Sequence, residues 1–273
     1  MKIKFLGTAA LEGVPSPFCR CDVCKASRAK GGRNMRSRSQ ALINDELLLE
    51  FNPDTIWHFQ RYAFDFDGIG DCLITHAHSD HLYAPDIEIA ADAFTHEHNT
   101  INFYAAKSGY EKIKEFTDRP NSRATATLVT AGRRFTTSKG YNVLPLEADH
   151  DKTADPLIYL IEKNGKRLLY AHDTGYFPES SWALLKACGR LDLVSLDCTG
   201  CIGKWGEWRS GHMTFGTNLE VISRMKSEGI IDADTIIIAN HFSHNGGQTY
   251  DEMQEYTQRF GVITSYDGME VEF

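Results

Sequence analysis

Residues 75–81 read Thr75-His76-Ala77-His78-Ser79-Asp80-His81 and follow directly on the apolar run Cys72-Leu73-Ile74. Four ligand-type side chains, His76, His78, Asp80 and His81, fall within six positions, and three of the chain's 11 histidines are among them. Alternate residues of an extended segment point the same way, so His76 and His78 can grip one ion. A following turn aims Asp80 and His81 at a second. Imidazole and carboxylate together suit Zn, Mn or Fe better than Mg or Ca. A lone His-x-His is as often an ordinary polar loop; the Asp-His continuation at the end of a buried strand argues against that reading.

Working outward, the same arrangement of an apolar strand ending at a polar residue recurs. Residues 141–146 lead toward His150, 167–171 toward Asp173, 191–196 toward Asp197, and 235–239 toward His241. Two early strands are predicted at 1–6 and 41–51, the second with a turn at Asn44-Asp45, and a hairpin spans 158–170 with its turn at Asn164-Gly165. Helical periodicity covers 109–117, 180–188, 217–228, where Gly229 is the stop, and 250–259. Strands mixed with helices imply an α/β layered protein. With no internal repeat or linker, 1–273 reads as one domain.

The chain has 273 residues and a formal net charge of −8, with 37 acidic against 29 basic side chains. Such a balance repels a polyanion, which makes nucleic acid an unfavoured partner and a small molecule a favoured one. No apolar run is long enough to cross a bilayer and the N-terminus starts directly in a strand pattern, so a cytoplasmic location is expected. Oligomeric state stays open, a homodimer included. Three of the 7 cysteines, Cys19, Cys21 and Cys24, crowd into a C-x-C-x2-C pattern too tight for ordinary disulfides. Three thiolates can close around one face of a zinc ion, and His244, three residues after His241, is the candidate fourth ligand. An ion there would order the long loop expected at about 13–39.

The hexad His76-x-His78-x-Asp80-His81 resembles the signature of the metallo-β-lactamase superfamily. That resemblance implies a four-layer αββα sandwich, a later His, an Asp that bridges two ions, and a final His. His150, Asp173 and His241 match in order and position. On this carry-over His76, His78 and His150 hold one ion, Asp80, His81 and His241 the other, and Asp173 bridges; His172 is a neighbour rather than a ligand. The pair, of Zn, Mn or Fe, would make a metal-bridging hydroxide that attacks a phosphoryl or carbonyl centre, with Asp80 orienting it.

Phe5-Leu6-Gly7-Thr8, Gly13-Val14-Pro15, the cysteine cluster and His241-x-x-His244 together resemble the PhnP subgroup of that superfamily over nearly the whole chain. The resemblance implies a phosphodiesterase acting on a small phosphate ester, cyclic ribose phosphates included, and one structural zinc in the N-terminal loop. It also places His212, in Gly211-His212-Met213-Thr214, near the metals as a proton donor or phosphoryl ligand. The sequence Glu50-Phe51-Asn52-Pro53-Asp54 departs from the subgroup's Asp-x-Gly-Pro-Asp pattern, so the surroundings of the ligands are expected to differ there.

Two other readings stand beside this one. The same two-metal site can hydrolyse a carbonyl ester, thioester, lactone or lactam, and PqqB-type relatives with a similar clasp suggest a non-catalytic metal-binding or carrier protein. Smaller signals include Cys198-x-x-Cys201, expected to be core thiols rather than a redox pair; Asp197, expected to support a ligand imidazole; and Arg33, Arg36, Arg38 and Arg209, candidates for a substrate phosphate or a solvated face. Trp182, Trp205 and Trp208 are expected to pack, the latter two near the site. His96 and His98 read as surface or pocket wall.

Overall fold

Alternating burial along Lys2–Gly7, with Ile3 and Phe5 inward, makes the first strand, β1. In chain order there follow β2 (Gln40–Ile43), β3 (Leu47–Leu49), β4 (Asp71–Leu73), β5 (Ile101–Ala105), β6 (Ala124–Leu128), β7 (Phe135–Thr136), β8 (Asn142–Glu147), β9 (Leu157–Lys163), β10 (Lys166–Ala171), β11 (Leu193–Asp197), β12 (Ile236–Asn240), β13 (Ile263–Thr264) and β14 (Met269–Glu272). The helices are α1 (Asp22–Lys30), α2 (Thr55–Tyr62), α3 (Lys107–Thr117), α4 (Glu179–Cys188), α5 (Phe215–Ser227) and α6 (Tyr250–Thr257). This structure is a computed structural model, and it describes every residue except His98, Asn99 and Trp205.

The strands form two seven-stranded sheets, ordered β14-β1-β2-β3-β4-β5-β6 and β13-β12-β11-β10-β9-β8-β7. Ile3, Leu73 and Tyr104 of the first sheet meet Val143, Tyr159, Leu168 and Ile238 of the second in a dry seam. Outside the first sheet, Leu48, Cys72 and Phe103 pack with Ile113 of α3; outside the second, Leu169 and Leu196 pack with Trp182, Val221 and Met253 of α4, α5 and α6. The result is the expected αββα sandwich. Each fully buried Leu or Ile in these layers contributes roughly 1.5–3 kcal/mol.

Sheet direction places the site. β3 to β6 are parallel, as are β10 to β13, so β4, β10, β11 and β12 release their polar followers at the carboxyl ends. Tyr159, fully buried between the sheets, donates its hydroxyl to the Ile74 carbonyl at 2.7 Å and ties the exit of β4 to the second sheet. The two predicted hairpin turns form, with positive φ at Asn44, Asp45, Asn164 and Gly165.

The expectation of an irregular segment at 13–39 needs correction, because α1 lies inside it. Cys21 caps that helix, its sulfur accepting from the Cys24 backbone amide at 3.5 Å, so the three-residue spacing of the thiols is helical. The periodicity reading also passed over α2, β5 and β6. β6, Ala-Thr-Ala-Thr-Leu, is an edge strand with one buried residue and little apolar signal. Among the described residues no helix is long and apolar enough to cross a membrane.

α2 is anchored by its one inward imidazole. His58 is fully buried, Nδ1 2.6 Å from Gln40 Oε1 and Nε2 2.7 Å from Ser37 Oγ. Burial pushes its pKa down to about 4 from the usual 6.5. A depressed imidazole favours folding above the unfolded value and loses that contribution as pH falls through the folded one, so stability drops between about pH 6.5 and about pH 4. Nitrogen chemical shifts should show His58 still neutral at about pH 5.5; titration near 6.5 would contradict this packing.

Candidate metal centre

The hexad leaves β4 as a loop whose side chains turn back over the end of the sandwich. His76 Nε2 lies 2.9 Å from His78 Nδ1, and His150 Nε2 lies 3.3 Å from that same His78 nitrogen. On the other side His81 Nε2 is 3.4 Å from His241 Nε2 and 3.4 Å from Asp80 Oδ2. Between the two groups sits Asp173, its Oδ2 3.1 Å from His76 Nε2 and 3.0 Å from His81 Nε2, its Oδ1 3.6 Å from His150 Nε2. Every predicted ligand of the pair is brought together, as His76, His78, His150 and Asp173 in one cluster and Asp80, His81, Asp173 and His241 in another, ligand atoms within 4.8 Å.

The outward nitrogens of these rings are already occupied. His76 Nδ1 is 3.0 Å from Thr75 Oγ1, His78 Nε2 3.3 Å from Asp151 Oδ2, and His81 Nδ1 3.3 Å from the same Thr75 hydroxyl, with the charge of Glu50 Oε1 at 3.2 Å. His150 Nδ1 donates to the Gly211 carbonyl at 2.9 Å. Thr199 Oγ1 donates within the cluster, to the His241 carbonyl or to Asp197 Oδ2, and so accepts from His241 Nδ1 at 2.8 Å. Outer partners of this kind fix each tautomer and leave the inner nitrogen as a lone pair. Lone pairs facing one another at these distances repel unless a cation stands between them.

Charge leads to the same conclusion. Asp80, Asp173, Asp197 and Glu50 are all buried around these rings. Burial alone would raise the Asp173 carboxyl, but His241, His212, His76 and His81 outweigh it and hold the group well below the ordinary range. Against the opposing effect of burial, Asp80 and Glu50 push His81 well above its usual value, which marks a surplus of negative charge where a proton or a cation is wanted. Asp173 Oδ1 is buried with no hydrogen bond of its own. The residues present therefore fit two divalent ions. Three of them bend the backbone to do so: Glu50, Asp173 and His241 have φ of 73, 57 and 62°, at the exits of β3, β10 and β12.

His212 joins the cluster from the loop between β11 and α5, its Nδ1 3.0 Å from Asp173 Oδ1 and 3.3 Å from Asp197 Oδ2. Burial opposes its charge, yet these two carboxylates raise the imidazole to about 11. The loop is held close by Gly175, where an added Cβ would stand 2.5 Å from both the Arg209 carbonyl and Asp149 Oδ2. A cavity of about 480 Å³ opens over the cluster, walled by Glu12, Ser79, Trp208, His212, Ser243 and Asn245 among others.

The second group, Cys19, Cys21, Cys24 and His244, also comes together within 4.8 Å. His244 Nδ1 is 3.7 Å from Cys19 Sγ and 3.6 Å from Cys21 Sγ, a donor set suited to tetrahedral zinc. The remaining expectations sort themselves by contact. Asp197 supports His241 and His212 as expected, and the buried His172 bonds Ser195 rather than either cluster. Cys198 and Cys201 are buried free thiols whose pKa values burial raises. Arg209 pairs with Glu220 and lies over Tyr176, Arg36 is buried against Phe242, Arg38 binds Asp54, and Arg33 covers Tyr266; these guanidiniums are structural. Trp182 packs, Trp208 lines the cavity, His96 is exposed, and Trp205 and His98 lie outside the described residues. Sequence reasoning missed Glu12, Glu50, Asp151 and Thr199 as contacts of the site.

A family model described as the beta-lactamase superfamily domain matches residues 54–231, more than half of the chain. No curated protein matches the sequence. Among solved structures, a diphosphatase from the PhnP family superposes with TM-score 0.76 at 19% identity, covering 100% of this chain and 97% of its own. Zn(2+)-bound PqqB from Methylobacterium extorquens gives 0.76 at 19%, covering 100% of both chains, and the short form of human tRNase Z gives 0.65 at 14%, covering 100% and 99%. These likenesses concern the fold.

Two changes separate the clusters experimentally. Asp173→Ala should lose about two divalent ions per chain by elemental analysis and retain the clasp ion, whereas Cys21→Ala should lose about one and retain the pair. Equal metal content in wild type and Asp173→Ala would contradict the arrangement.

Proposed function

Because this chain belongs to the beta-lactamase superfamily, we propose that it is a hydrolase of small phosphodiesters, working with a divalent metal pair held by His76, His78, His150, Asp80, His81, His241 and the bridging Asp173, and with a structural zinc at the cysteine clasp. When bound, such a pair supplies a Lewis acid for the phosphoryl oxygens and a water acidified toward neutrality. The chain's own side chains do the rest. Asp80, beside the pair, orients the attacking water; Thr75, Asp151 and Thr199 hold His81, His78 and His241 in their binding tautomers.

The observation that carries the diester reading is His212. Its Nδ1 is held by Asp197 Oδ2 at 3.3 Å and Thr199 Oγ1 at 3.2 Å, beside Asp173, while the ring lines the cavity, which leaves Nε2 to meet a leaving group. An alkoxide leaving from phosphorus needs a proton at that point, and an imidazole anchored at Nδ1 by Asp197 can carry it there on Nε2. Charge balance supports a diester over a more highly charged ester: among the described residues no lysine or arginine lines the cavity, so the metals and His212 alone meet the substrate's negative charge. The fold's occurrence in a diphosphatase is consistent with phosphoryl chemistry.

Metal-replete protein should hydrolyse bis(p-nitrophenyl) phosphate and ribose cyclic phosphates. His212→Ala should slow cleavage of an alkyl diester about 100-fold or more and affect p-nitrophenolate departure much less, because the latter needs no proton. Inertness toward every diester, with turnover of a thioester or lactone, would move the assignment to carbonyl chemistry. Inertness toward both ester classes would favour a carrier.

A further inference from the structure

Among the described residues Glu12 is the one carboxylate lining the cavity that belongs to no metal-ligand cluster. It sits in a tight turn closed by the Gly13 amide on the Ala10 carbonyl, and that turn is pinned to the second sheet by the Ala10 amide on the Phe242 carbonyl at 2.9 Å. Arg38 Nε donates to the Leu11 carbonyl at 2.9 Å and fixes the other side. The carboxylate is therefore held in place rather than swinging free.

Both of its protein contacts fall on one oxygen. Ser243 Oγ donates to Glu12 Oε1, and His244 Nε2 lies 3.6 Å from that same atom. His244 turns its other nitrogen to the thiols, so Glu12 steadies the clasp histidine from behind. Among the described residues no donor meets Oε2, and the side chain is 27% exposed, on the cavity wall. Ser243 Oγ in turn accepts from the Asn245 amide at 3.0 Å, which fixes the hydroxyl that holds Oε1.

We propose that Glu12 is a specificity-determining residue of this cavity, its free carboxylate oxygen accepting hydrogen bonds from hydroxyl groups on the uncleaved part of the substrate, so that the site selects sugar or polyol phosphates. This rests on the phosphodiester reading above for the reaction, but not for the binding. A fixed carboxylate recognises donors and repels anions. A second phosphate on the substrate is excluded near Glu12, and an ammonium group is disfavoured by the metal cations sharing the cavity. A neutral polyol meets both conditions. A carboxylate with a hydroxyl partner is also a strong discriminator, because the analogue lacking the hydroxyl leaves a charged acceptor unsatisfied.

Binding of D-ribose 5-phosphate and of inorganic phosphate to the metal-loaded full chain, measured by calorimetry, tests this without turnover, since neither is a diester. Wild type should prefer the sugar phosphate, and Glu12→Gln should reduce that preference about tenfold, with clasp metal content unchanged. Glu12→Ala should reduce it at least as far. A preference unaltered in both variants would overturn the proposal. So would a parallel loss for both ligands accompanied by loss of the clasp ion, which would make Glu12 only a support for His244. Failure of bis(p-nitrophenyl) phosphate hydrolysis by wild type would count against the reaction and leave this binding result standing.

Discussion

One buried carboxylate and the rings that crowd it set the terms for this end of the molecule. Asp173 stands between His76 and His81 at 3.1 and 3.0 Å, with His150, His212 and His241 beyond, buried at the floor of the cavity. Such a group of lone pairs and negative charge is unstable by itself. Burial penalises the carboxylates and repulsion penalises the rings, and the αββα scaffold persists around them only because packed sheets over-determine their positions. The left-handed backbone at Glu50, Asp173 and His241 is the local cost. Cations placed between these groups would convert the conflict into binding energy.

Distance along the chain explains why so rigid a scaffold is required. Ligands at 76–81, 150, 173 and 241 come from both sheets, and the seam between those sheets sets the separation of the two clusters. Tyr159 crosses the seam to grip the Ile74 carbonyl two residues before His76. Asp197 joins the second sheet to both His212 and His241. A small shift of one sheet on the other would open one cluster and close its neighbour, which is why the support reaches well beyond the ligand atoms.

Much of this was legible in the sequence. The hexad, and the polar residues after four later strands, were visible because apolar strands have a short period and a clear end. The clasp was visible as cysteines too close to pair. Contacts between loops were not. Asp151 on His78 and Thr199 on His241 join positions 73 and 42 residues apart, and nothing local marks either. Glu50 looked like a departure from an expected pattern, yet its buried carboxylate puts a negative charge 3.2 Å from the outer nitrogen of His81. Arg209, suggested for phosphate by its place before His212, is turned away to Glu220. α1 was hidden by Gly, Pro and Cys around it, and β6 by its small side chains.

The central claim is that two cations occupy the space around Asp173. Anomalous scattering collected from one crystal at the Zn, Mn and Fe absorption edges tests it directly. Two peaks should appear about 3.5–4 Å apart, one against His76, His78 and His150 and one against Asp80, His81 and His241, with a separate zinc peak among Cys19, Cys21, Cys24 and His244. A zinc peak at the thiols alone, with the imidazoles spread apart and only water between them, would contradict it.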